Sequence, residues 1–217
     1  MISLQILCSG TPTPSEIRWG SAYALNMGDG WLMFDCGPAA TYKLIKSGIS
    51  PLNVSHLFFT HHHSDHDADY ACFLLSRFDM SIGKEPDLKV YGPSPTQTLT
   101  EKLIGEKEGA YWHDFVARTN HPLSLWAYQN RGGNLPRKIP KVHATDIESG
   151  ESINGPDWTI ECSRVEHVQP YLDSLAYRVN TDNGSIVFSG DTRPCQSLVE
   201  LAEGCDVLVM ECIRLEK

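Results

Sequence analysis

Apolar residues fall into short runs separated by Gly, Pro and Asx clusters, a spacing of strands and short helices rather than of long amphipathic rods. Ile2 to Leu7 reads as a buried strand closed by the turn at Gly10 to Pro14. Ser21 to Met27 and Trp31 to Asp35 read as two more, joined by Gly28-Asp29-Gly30, a hairpin signal. A short helix is predicted from Pro38 to about Ser47, with Gly48 just past its end. Val54 to Phe59 is a further strand, and helical spacing follows over Asp67 to Phe78. Leu88 to Tyr91 predicts a strand and Thr96 to Ile104 a helix. From Gly105 to Lys141 the regular alternation breaks. That stretch, rich in aromatic and basic residues, is expected to be an irregular insertion near the mouth of a site. Its aromatics are expected to serve as core more than as a substrate platform. Strands then return at Trp158 to Val165, Ser174 to Asn180 and Ser185 to Ser189, the last two flanking the hairpin signal Asp182-Asn183-Gly184. A helix over Pro194 to Glu203 and a short strand over Val207 to Met210 complete the pattern. No repeat or linker interrupts it, so residues 1–217 read as a single α/β domain.

Composition narrows the class. At 217 residues the chain can bury one real core. A formal net charge of -9 argues against a broad nucleic-acid surface, which would be basic. Seven cysteines form no CxxC pair and are odd in number, which fits a reduced compartment. The first residues lack the basic start of a signal peptide. No apolar run nears the ~20 residues of a bilayer span. The expectation is a soluble, cytoplasmic protein with no membrane partner.

The chemistry is concentrated in Thr60-His61-His62-His63-Ser64-Asp65-His66, directly after the strand ending at Phe59. Four of nine histidines lie within six positions here, beside Asp65 and Asp67. If the chain stays extended, His61 and His63 face one point and His62 faces away. Asp65 and His66, past the bend, can address a second point nearby. Imidazole and carboxylate ligands without thiolates suit zinc or a similar first-row ion in a catalytic site. Unlike a His-rich tag, the run has a strand leading in and a helix leading out.

These residues resemble a known family. His61-x-His63-x-Asp65-His66 is similar to the signature of metallo-β-lactamase superfamily hydrolases, nearest the ribonuclease Z-like and arylsulfatase-like branch. Ser9-Gly-Thr-Pro-Thr-Pro14, Phe34-Asp35-Cys36-Gly37, His167 in Glu166-His-Val-Gln-Pro170, and Phe188-Ser-Gly-Asp191-Thr match in the expected order. The resemblance implies the αβ/βα sandwich of that family: two mixed sheets flanked by helices. It implies that His61, His63 and His167 hold one metal, that Asp65 and His66 hold a second, and that Asp191 bridges them. It gives Asp35 the task of orienting the metal loop, beside the simpler reading of a turn-capping aspartate. Two divalent ions are implied, Zn2+ first, with Mn2+ or Fe2+ as alternatives. His63, where redox relatives carry Glu, favours hydrolysis over iron chemistry. Two ions ~3.5–4 Å apart lower the pKa of a shared water and clamp the oxygens of a displacement. The implied nucleophile is metal-bound hydroxide, with Asp65 as its acceptor and catalytic carboxylate.

Two departures shape the expectation. The family supplies one more ligand histidine beyond the strand containing Asp206 to Met210, and here no histidine follows His167. The sequence therefore reads as a shortened version of a longer hydrolase, or as one whose gap a partner subunit covers. A homodimer is compatible with this. Ribonuclease Z enzymes carry His-Glu-Ala-Thr where this chain has Met210-Glu211-Cys212-Ile213, and methionine cannot protonate a leaving alkoxide. The 105–141 stretch is also unlike the basic arm with which those enzymes grip tRNA. Arg131, Arg137 and Lys138 are read as a solvated charged loop, with neutralisation of an anionic substrate as the sharper alternative. The expected function is metal-dependent hydrolysis of a small anionic ester: phosphodiester, sulfate ester or other. The rivals are tRNA 3' processing of the ribonuclease Z type, with nucleic acid not favoured, and a metal-binding module without turnover.

Overall fold

The structure is a computed structural model and describes residues 2–13 and 15–212. Two sheets lie face to face. The first runs in the order β1 (Ser3–Ser9), β2 (Ser21–Asn26), β3 (Trp31–Phe34), β4 (Val54–Phe58), β5 (Leu88–Gly92), β6 (Val142–Asp146). Its first three strands are antiparallel, and β3 to β6 are parallel. The second sheet has the order β11 (Val207–Val209), β10 (Gly184–Phe188), β9 (Leu175–Thr181), β8 (Trp158–Arg164), β7 (Ser152–Asn154).

The central strands are apolar at successive positions because both of their faces are covered. Met33 and Leu57 point to one core, shared with Leu44 of α1 (Ala40–Lys46) and with Phe73 and Leu74 of α3 (Tyr70–Met80). Leu32, Phe34 and Phe58 point to the other, between the sheets, where they meet Ile160, Tyr177 and Phe188. Phe34 stacks on Phe188 at 4.0 Å and on Phe58 at 5.2 Å between ring centroids. A third, smaller core joins Ala176 and Val187 to Leu198 of α7 (Gln196–Ala202). Helix, sheet, sheet, helix is the layering anticipated from the sequence.

Three expectations are corrected. The helix expected from Asp67 is two pieces, because α2 (Ser64–Asp67) forms a separate turn before α3 starts at Tyr70. That turn aims Asp65 and His66 inward, and both are buried. The stretch 105–141 is only partly irregular, and it packs toward the far end of α3 rather than at the histidine loop. After α4 (Thr96–Ile104) it forms a hairpin of α5 (Trp112–Asn120) and α6 (Pro122–Asn130). Phe115 stacks on Phe78 at 4.4 Å, and the Tyr128 hydroxyl donates to the Ile82 carbonyl at 3.3 Å. Phe78 lies eight residues beyond Tyr70, so this packing is ~12 Å along α3 from the helix end nearest the histidine loop. Each of the two helices buries a single residue, Phe115 or Tyr128. In α6 the periodic apolar stripe that announces a helix is faint. Arg137 is not a solvated loop cation: it lies 4.5 Å over the Phe78 ring and 5.1 Å over Tyr128, and donates to the Phe78 carbonyl. Arg131 faces Asp79, and Lys138 is exposed. Among the described residues no helix is long and apolar enough to cross a membrane.

Candidate metal centre

The candidate ligands emerge from three strand ends. His61, His63, Asp65 and His66 follow β4, His167 follows β8, and Asp191 follows β10. Crevices outside the carboxyl ends of parallel strands are where open α/β sheets collect functional groups. Because ladder bonds cannot continue past the strand ends, other contacts fix each loop. His167 N–H donates to the Gln169 side chain, which in turn donates to the Val165 carbonyl, both at 2.8 Å. Gly190 takes φ +58, the left-handed turn that swings Asp191 back toward β4. Two more glycines clamp the middle of the motif. A Cβ on Gly37 would stand 1.9 Å from the Asp65 carbonyl oxygen, and one on Gly20 would stand 2.2 Å from it.

Five of the six candidate ligands converge tightly. His63 Nδ1 is 3.1 Å from His61 Nε2 and 3.1 Å from His167 Nε2. One ligand atom each from His61, His63 and His167 lies within a 4.8 Å group, and His61, His66 and Asp191 form a second such group. His66 Nε2 is 3.2 Å from Asp191 Oδ1. Asp65 stands just outside, its Oδ2 3.7 Å from His66 Nε2. His62 faces away, between Asp67 at 3.1 Å and Thr96 at 2.7 Å, as strand alternation requires. Beneath them sits Asp35, fully buried with φ +58. Its carboxylate accepts from the Thr60 N–H at 2.8 Å, from Ser21 at 3.3 Å, and from His66 Nδ1 at 2.7 Å. The orienting role fits this residue; a turn cap would not need three partners from two distant segments.

Electrostatics divide the cluster. Burial first, then the neighbouring rings of His66, His63 and His167, holds the His61 imidazole far below the ordinary histidine value. Burial also lowers His167. Neutral rings with free lone pairs are the ligating form. His66 goes the other way. Burial opposes its charge, but the Asp35 charge and the hydrogen bonds the ring donates to Asp191 and Asp35 outweigh that and push it up to about 10. Asp191 moves in the matching direction: burial raises it, and the hydrogen bond and charge of His66 more than reverse that. A ring that keeps its proton so tightly marks a point of negative potential, and a divalent cation competes for the same point.

The donor set fits a first-row cation. A tetrahedral zinc with Zn–N of ~2.05 Å separates neighbouring nitrogens by ~3.3 Å, close to the 3.1 Å between the rings. Asp65 is 3% exposed, and its Oδ1 is buried with no hydrogen-bond partner among the described residues. A buried carboxylate oxygen left unpaired is costly unless a cation or water completes it.

A cavity of about 470 Å³ opens on Asp65, His66 and Asp191, with Thr11, Arg18 and Glu211 on its walls. That volume is in the range of small-molecule sites. A larger space of about 640 Å³, lined by acids such as Asp146, Glu148 and Asp173, touches none of the candidate ligands. The chemistry belongs to the smaller one. Arg18 and Glu211 were not singled out as functional from the sequence. Glu211 accepts from the Thr192 N–H at 2.6 Å; burial raises its carboxyl, that bond lowers it, and Asp191 raises it again. Ile213, two residues on, lies outside the described residues.

A model of the metallo-beta-lactamase superfamily matches residues 20–201. The chain is 28% identical over 220 residues to a ribonuclease Z of Mycobacterium bovis, covering 99% of this chain and 71% of that protein. A ribonuclease Z of Mycolicibacterium paratuberculosis is 30% identical over 220 residues, with the same coverage. Among solved structures, the metallo-beta-lactamase fold protein YhfI from Bacillus subtilis superposes with TM-score 0.72 at 19% identity, covering 97% of this chain and 72% of that one. The short form of human tRNase Z gives TM-score 0.63 at 20% identity, covering 96% and 76%. The fold and the histidine–aspartate cluster thus define a class: the chain belongs to the metallo-beta-lactamase superfamily. Within it, the chain is a hydrolase related in sequence to the ribonuclease Z group.

Proposed function

We propose that this chain hydrolyses a phosphodiester, using two divalent cations, Zn2+ foremost. His61, His63 and His167 would hold one, and His66, Asp191 and Asp65 the other, with Asp191 shared. The observation that carries the reading is the pair of overlapping ligand groups, the second of which opens through His66 and Asp191 on a substrate-sized cavity. When bound, such cations acidify water and neutralise charge on the oxygens of the ester. The remaining tasks fall to the side chains. Asp35 holds the proton of His66 at Nδ1, leaving Nε2 turned toward Asp191. Asp65 Oδ1, without a partner among the described residues, accepts a proton from the attacking water. Arg18 on the cavity wall offers the positive charge that an anionic ester needs.

A ribonuclease acting on RNA, tRNA included, is the second reading. The curated relatives at 28–30% identity favour it. Met210 and the net charge of -9 weigh against it. Metal analysis with turnover of bis(p-nitrophenyl) phosphate and of precursor tRNA separates the readings. Two metals per chain with phosphodiester turnover and no tRNA cleavage supports the first. Salt-sensitive tRNA cleavage supports the second. One metal and no turnover on any ester leaves a binding module and defeats both.

A further inference from the structure

We propose that Thr60 is a positioning residue whose hydroxyl joins the two ligand groups to the single carboxylate of Asp35. The inference rests on the reading of the cluster as a cation site. Thr60 Oγ1 lies 3.0 Å from each Asp35 oxygen, 3.0 Å from His61 Nδ1 and 3.4 Å from His66 Nδ1. A hydroxyl has one proton to donate and can accept in return. The carboxylate takes that proton. The oxygen is then left to accept, and the His61 Nδ1–H is the donor facing it. The proton of the neutral His61 ring is thereby held at Nδ1, and Nε2, 3.1 Å from His63 Nδ1, keeps its lone pair turned into the cluster. His66 needs no intermediary, since its Nδ1 is 2.7 Å from Asp35. One carboxylate therefore sets both rings: His66 directly, and His61, which belongs to both ligand groups, through Thr60.

Thr60 is itself held from every side. It is 2% exposed. Its N–H donates to Asp35 at 2.8 Å, and its carbonyl accepts from the Leu175 N–H at 2.8 Å. A Cβ on Gly190, next to Asp191, would stand 2.7 Å from Thr60 Cβ. The loop bearing Asp191 thus leans on Thr60, and the second sheet enters through Leu175. The hydroxyl has one orientation to choose.

Valine keeps the shape of threonine and removes the hydroxyl; serine keeps the hydroxyl. The test measures zinc affinity of the wild type, Thr60→Val and Thr60→Ser by competition with a chromophoric chelator. Urea unfolding is run alongside. The expected result is a loss of about 10–100-fold in affinity for Thr60→Val, with Thr60→Ser within about threefold of wild type. A merely structural role would lower the urea midpoint of Thr60→Val and leave affinity in the folded protein unchanged, which overturns the proposal. Imidazole nitrogen NMR of zinc-loaded wild type decides the matter even if Thr60→Val does not fold. A slowly exchanging Nδ1 proton on an Nε2-coordinated His61 supports the relay, and coordination through Nδ1 refutes it. Should the wild type hold no zinc, the reading of the cluster fails first and the relay falls with it.

Discussion

Replacing Gly37 by alanine tests how the metal loop is positioned. Neither Gly37 nor Gly20 sits at positive φ, so alanine is excluded there by space and not by backbone conformation. At Gly37 the added carbon would meet the Asp65 carbonyl oxygen at 1.9 Å and the Ser21 nitrogen at 2.7 Å. Ordinary contact begins near 3.4 Å, so the two backbones must part by ~1.5 Å. They cannot part freely. Gly37 N–H donates to the Ser21 carbonyl at 2.9 Å, and Cys36 N–H donates to the His66 carbonyl at 2.6 Å. Overpacking of this kind costs about 1–3 kcal/mol. The displaced residues are Asp65 and His66, and a shift of ~1 Å in such groups costs ~100-fold in rate. The assay is urea unfolding of the metal-free protein, followed by metal competition and turnover per folded molecule. Gly48→Ala is the control: its φ is +78 with nothing within 4 Å, so it should lower stability alone. A Gly37→Ala protein with wild-type metal affinity and turnover would show that the clamp on Asp65 does not position the site.

Four further outcomes are expected. Arg18→Ala should raise KM for bis(p-nitrophenyl) phosphate about two- to fivefold, the worth of an exposed charge pair, and leave the neutral p-nitrophenyl acetate unaffected; equal effects on both esters would remove Arg18 from substrate binding. Asp65→Asn should retain at least one metal and lower kcat by about 10²–10⁴, the usual span for a lost general base, with metal content and initial rates as the measurements. His56 is held down to about 4 by burial and then by Lys89; its folded value lies below the ordinary ~6.5, so stability is full above that pH and falls as pH drops toward 4. With solvent screening of the partly open ring, His56→Phe should relieve about 1–2 kcal/mol of that acid loss, seen as a smaller change in urea midpoint between pH 7 and 4.5. Arg137→Ala should cost about 1–3 kcal/mol through two lost ring contacts and one hydrogen bond, while zinc affinity, read by the same chelator competition, stays at the wild-type value.

The sandwich was legible wherever a strand is buried on both faces. Trp31 to Phe34 and Leu57 to Phe59 carry apolar side chains at consecutive positions because each face meets a different core. The histidine motif was legible for a local reason. Alternation along an extended chain separates His61 and His63 from His62, and nothing distant is needed to see it. The α5–α6 hairpin was hidden because Gly105, Gly109, Pro122 and the pair Gly132-Gly133 punctuate a segment with little buried apolar surface. Thr60, Gly20, Gly37, Arg18 and Glu211 were hidden for a different reason. Their roles arise from approaches between segments far apart in the chain, such as Gly20 and Gly37 against Asp65, and no local pattern records such a meeting.

His63 and His167 face each other across 104 positions of sequence. Closing so long a loop before the sheets form offers no return for the chain entropy lost. On the proposed reading, a cation that bridges these two side chains would enter a scaffold already built rather than seed its assembly. Cells starved of the ion should accumulate a compact, protease-resistant, inactive form that regains turnover on adding zinc, without any refolding step.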